Sequence, residues 1–197
     1  MNTTEVQTGY RPIQEATYRT IEGTSMMESA GALAAIALAI VGLAGVFSIN
    51  MAAIAAIVLG AAIWMEGGAH AATYRRAASQ EGSAARIVGW GESVSAEFLG
   101  GLAGIFLGIL ALLGVSPIPL LSVAALVFGA TFLFSGVATS GSSRQAMLGF
   151  AALVLGLLAV IGLNSLTLVL VALACLGAAA LFHGAATGVK FAVEAHK

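Results

Sequence analysis

The sequence predicts an all-α integral membrane protein, with six transmembrane helices arranged as three repeated helical hairpins. Three observations carry this. Hydrophobic residues make up 59% of the 197 positions and charged ones 9%, with a mean hydropathy of +1.00; soluble domains carry about 25% charged residues. The apolar runs are too long to be single helices and break at short uncharged turns. The same spacing of glycines recurs three times along the chain.

Residues 1–28 form a polar N-terminal segment with Pro12 and Gly23 as breakers, leaving room for one short surface helix over 13–21. They carry glutamates and threonines rather than a basic leader, so the apolar run that starts near Gly31 is expected to be an uncleaved anchor. Apolar character then continues to Met65. As one helix this run would be about 55 Å long, against a hydrocarbon core of about 30 Å. Residues 45–50 therefore read as a turn, and 29–73 as membrane hairpin one, with helices over 29–45 and 50–73. Residues 74–95 form a cytoplasmic linker containing Arg75, Arg76 and Arg86. Hairpin two covers 96–138, with helices over 96–114 and 119–138, and Pro119 suits the first turn of a helix because its missing N–H costs little there. Hairpin three covers 145–190, with helices over 145–162 and 166–190.

The repeat is fixed by register. Gly45, Gly114 and Gly162 lie at the turns, Gly60, Gly129 and Gly177 midway along the second helices, and Gly67, Gly136 and Gly184 near their ends, with offsets of 69 and then 48 residues in every triplet. Glu28, Glu97 and Gln145 share the hairpin entrances in the same register. All eight basic residues fall on the side of the termini and linkers, and the turns carry no charge. The positive-inside rule then places both termini in the cytoplasm.

A net charge of −1 excludes a basic field for nucleic acid. The lone Cys175 has no thiol partner and reads as a packing residue. The chain contains no aspartate, so no Ser/His/Asp triad exists, and GWGES at 89–93 lacks the strand and lysine of a phosphate loop. Neither a cofactor nor an enzymatic activity is expected. Gly100, Gly104 and Gly108 make a small-residue stripe at i, i+4, i+8, suited to close helix packing within the chain or along a homo-oligomer seam. Glu66 is the acidic residue deepest in an apolar run, and Ser135 and His183 occupy its repeat positions. Three readings stay open for this trio: interfacial residues within reach of the headgroups, a structural pair, or a proton path if Glu66 and His183 converge. His70, four residues beyond Glu66, could add a second metal ligand, but two are too few for a site. Trp64, Tyr74 and Trp90 read as interfacial anchors.

The segments LGILALLGVSPIP at 107–119 and VFGATFLFSGV at 127–137 resemble the short repeat of the HdeD family of bacterial membrane proteins, over about residues 29–187. The turn proline of that family stands at Pro119, with Asn50 and Thr167 at the matching positions. The resemblance implies six helices from three repeats and an association with stress and acid resistance, and it supplies no catalytic residues. The partners expected are the lipid bilayer, a second copy of the chain or other membrane-protein subunits.

Overall fold

The computed structural model describes the backbone of residues 29–81, 84–138 and 143–194, and side chains over 29–68, 96–136 and 145–182. The polar segment 1–28, with its short surface helix, and the side chains of His70 and His183 lie outside the described residues. Six helices run in the order α1 (Ser29–Leu43), α2 (Ser48–Glu81), α3 (Ala84–Leu112), α4 (Pro117–Ala138), α5 (Ser143–Val160) and α6 (Ser165–Glu194). No strand occurs among the described residues.

Each first helix ends in the same way. Gly45, Gly114 and Gly162 adopt φ of 87°, 83° and 93°, a left-handed conformation open to glycine at little cost. The Gly45 N–H donates to the Gly42 carbonyl and the Val46 N–H to the Val41 carbonyl, and the same pair of bonds recurs at Gly114/Val115 and Gly162/Leu163. This is the Schellman arrangement, which satisfies carbonyls that the helix end would otherwise leave orphaned. Two residues later Phe47, Ser116 and Asn164 also take positive φ, at 43°, 41° and 45°, and their carbonyls accept the first bonds of the returning helices.

The glycines bring the hairpins together. A Cβ on Gly60 would stand 2.8 Å from the Gly101 carbonyl oxygen and 2.9 Å from the Ile105 nitrogen. One on Gly129 would stand 3.0 Å from the Gly149 oxygen and 2.6 Å from the Leu153 nitrogen, and one on Gly177 would stand 3.0 Å from the Ala32 oxygen and 2.7 Å from Ile36 Cγ1. The partners are themselves repeat equivalents. Thus α2 packs on α3, α4 on α5 and α6 on α1, and the three hairpins close into a pseudo-threefold ring. The second helices α2, α4 and α6 also touch one another and form the inner layer. The core they share is rich in alanine, including Ala52, Ala56, Ala124, Ala172 and Ala180.

Side-chain sizes compensate inside each hairpin. The Phe128 ring of α4 fills the space that a Cβ on Gly104 of α3 would need. The matching positions hold Leu59 with Ala35, and Leu176 with Ala152, all fully buried. A larger ring is therefore accommodated where the facing helix has lost a methyl group.

Several sequence boundaries move. The first helices stop two residues before the turn glycines, because the Schellman bonds end them there. Pro117, not Pro119, opens α4. Helix α2 runs to Glu81 and α3 begins at Ala84, so the span read as a linker, 74–95, is largely helical; its alanines, arginines and glutamates favour helix and it contains no proline. Among the described residues three segments, Ser48–Gly68, Pro117–Gly136 and Ser165–Phe182, are long and apolar enough to cross a membrane, rather than six. They belong to the inner helices. The apolar stretches described in the first helices, Ser29–Leu43, Ala96–Leu112 and Gln145–Val160, are shorter.

The size compensation makes a direct prediction. Gly104→Ala should destabilise the protein by about 1–3 kcal/mol through overpacking, and adding Phe128→Leu should restore most of the loss by rebuilding the pair found in hairpins one and three. Unfolding in mixed micelles measures both, and purely additive losses would contradict the equivalence.

Candidate functional site

A membrane bundle with an apolar core is most informative where it buries polar atoms. Among the described residues these are Glu66, Glu97, Ser122, Thr131, Ser135 and Gln145. Two are satisfied within their own helix, since Ser122 Oγ donates to the Ile118 carbonyl and Thr131 Oγ1 to the Val127 carbonyl, each at 2.9 Å. The other four lie at the end of the bundle remote from the turns.

There Gln145 Nε2 donates to Ser135 Oγ at 3.2 Å, and Ser135 Oγ donates on to the Phe132 carbonyl at 3.5 Å. The bond ties α4 to α5 across the seam between hairpins two and three. It sits beside a close backbone crossing, where a Cβ on Gly136 would be 2.6 Å from the Ala146 nitrogen. One repeat earlier the same crossing recurs, with the Gly67 position 2.9 Å from the Phe98 nitrogen. Glu66 on α2 and Glu97 on α3 therefore occupy, at the first seam, the register positions of Ser135 and Gln145 at the second. Both are buried. The rings of Trp64 and Phe98 flank the first seam, with centroids 5.8 Å apart and planes at 43°.

The structure thus sorts the residues that the sequence singles out. Ser135 is hydrogen-bonded to the first helix of the next hairpin, and by register position 66 corresponds to 135 as 97 does to 145. His183 and His70 are placed on the backbones of α6 and α2 only. Gly60, Gly129 and Gly177 lie at the three seams. Gly100 faces Thr131, Gly104 faces Phe128, and Gly108 faces Ile57 and the Ala53 carbonyl, so the chain fills its own small-residue stripe. Cys175 is half-buried on α6. No cluster of three His, Cys, Asp or Glu side chains able to hold a metal occurs among the described residues.

Glu97 and Gln145 are the functional candidates that sequence reasoning passes over. Their shared register marks them as hairpin entrances. Pairing them with 66 and 135 requires knowing that each second helix packs on the next hairpin's first helix, information held by the mid-helix glycines. No family model, curated protein or solved structure matches the chain.

If the two seams are equivalent, the double substitution Glu66→Ser with Glu97→Gln should rebuild the Ser135–Gln145 pair at the first seam. Its stability in micelles is expected to equal or exceed that of the parent, since buried carboxyl groups are costly. Gln145→Ala should cost about 1 kcal/mol. A double variant weaker by more than about 2 kcal/mol would show that Glu66 and Glu97 serve a different contact.

Proposed function

We propose that this chain is a six-span inner-membrane protein of the HdeD type, with both termini cytoplasmic, which works as a packed bundle or through bound partners and not as an enzyme. The observation that supports this is the outward face of the ring. Ile40, Ile109 and Leu157 share one register position and Leu43, Leu112 and Val160 another, and all six are exposed. Phe106, Phe134, Phe150 and Phe182 add to the same apolar surface. An apolar belt repeated by symmetry on all three hairpins suits lipid as its solvent. The first helices lie in that belt beside the inner ones, which supports counting them as spans. A stress-related role is what the family resemblance implies.

Purification in mild detergent separates a self-sufficient bundle from a subunit of a larger complex. A single species with its helical content intact is expected, and a stoichiometric second protein would favour the subunit. Reporter fusions at residue 197 and after each linker should all be active on the cytoplasmic side.

A second reading, a proton path, is favoured by one observation, the placement of two carboxyl side chains at the α2–α3 seam where the α4–α5 seam has a hydroxyl and an amide. In that reading Glu97, rather than His183, is the exchange partner of Glu66. Proton flux in vesicles should then fall at least about tenfold in both Glu66→Gln and Glu97→Gln; equal flux in parent and variants removes the reading.

A further inference from the structure

The turn end of the bundle is uncharged, and its large exposed side chains are apolar; Asn50, Ser116, Asn164 and Thr167 are the exposed polar ones there. Phe47 is 74% exposed, Leu113 73% and Ile161 66%, and Val46, Val115 and Leu163 stand exposed beside them. No charged residue occurs in 44–47, 113–116 or 161–164. The backbone is prepared for the same environment. The N–H groups of residues 44–46, 113–115 and 161–163 all donate back into the preceding helix. Ser48 Oγ donates to the Gly42 carbonyl at 2.7 Å. At the start of α4, Pro117 and Pro119 remove two N–H groups that a helix start leaves unpaired. Irregular backbone is tolerated in hydrocarbon only when its polar groups are satisfied.

Length supplies the second, independent argument. From the first residues of the returning helices, Ser48 and Pro117, to the buried polar positions Glu66 and Ser135 is eighteen residues in each case, or about 27 Å of helix. A hydrocarbon core is about 30 Å thick. With the polar positions at the cytoplasmic boundary, the returning helices begin just inside the opposite one and the turns lie at it, and helix tilt only shortens their reach.

We infer that the three turns are a lipid-binding surface, seated among the acyl chains and glycerol groups of the far leaflet and not in water. The protein then enters the bilayer from one side and presents no aqueous face on the other. Local thinning of the far leaflet follows, together with a preference for thin bilayers. This rests on the membrane reading above.

The test uses the full chain with Cys175→Ala, reconstituted in phosphatidylcholine vesicles, carrying one cysteine at a time: Phe47→Cys, Leu113→Cys, Ile161→Cys, the belt control Phe106→Cys, and a cysteine appended after Lys197 as the aqueous control. A membrane-impermeant maleimide is supplied on both sides, and full labelling in SDS confirms each thiol. The turn cysteines are expected to label at least about tenfold more slowly than the appended one, because a thiol in hydrocarbon does not ionise. Bimane on the same positions should be quenched more by acyl-chain spin labels than by a water-soluble quencher. If the turns label as fast as the appended cysteine while Phe106→Cys stays protected, the inference fails and the membrane reading stands. If Phe106→Cys labels equally fast, the membrane reading itself fails.

Discussion

The structure depends on backbone-to-backbone approach at three seams. Between helices in lipid there is no hydrophobic drive, because acyl chains are as apolar as leucine, so association must come from dispersion contacts made at short range. Glycine at 60, 129 and 177 supplies that range, and each faces a carbonyl or amide of the neighbouring hairpin. Once these crossings are set, much else follows. The inner helices come near enough to need alanine between them, and the Phe128 ring enters where Gly104 faces it. Other bulky residues, among them Phe106, Phe134, Phe150 and Phe182, stand on the outside of the ring.

On this repeated scaffold the copies differ most in polarity. Turns, seams and outward faces repeat in register, while the polar positions change from Glu66 and Glu97 to Ser135 and Gln145. A device duplicated for packing alone would have no reason to keep carboxyl groups at one seam, where each is costly to bury. Among the described residues the asymmetry therefore sets the seam between hairpins one and two apart from that between two and three.

Much of this architecture is legible in the chain. The glycine register foretells the helices, their turns and the threefold repetition, because a turn that needs positive φ and a seam that admits no Cβ both leave glycine as the visible mark. Helix ends are less legible. Leu43 and Gly45 look alike to a hydropathy reading, and only the hydrogen bonds of the turn separate them. The helical continuation through Arg75 and Arg76 is hidden because charge reads as a break, although neither residue opposes helix. The polar pairing at 135 and 145 joins two positions that the register marks separately, and it needs the lateral order of the hairpins, which no single hairpin reveals. That Glu66 is buried at the seam with the next hairpin is hidden for the same reason.

The ring has three seams but the chain spans only two of them. Segments after α2 and α4 tether the first two seams covalently, whereas α6 meets α1 through contacts such as Gly177 with Ile36 and Gly42 with Leu170 alone. During synthesis α1 must therefore wait, one flank open to lipid, until the last helix emerges. In the finished protein the same untethered seam is where the ring can part like a clasp, at the cost of packing and without stretching any loop.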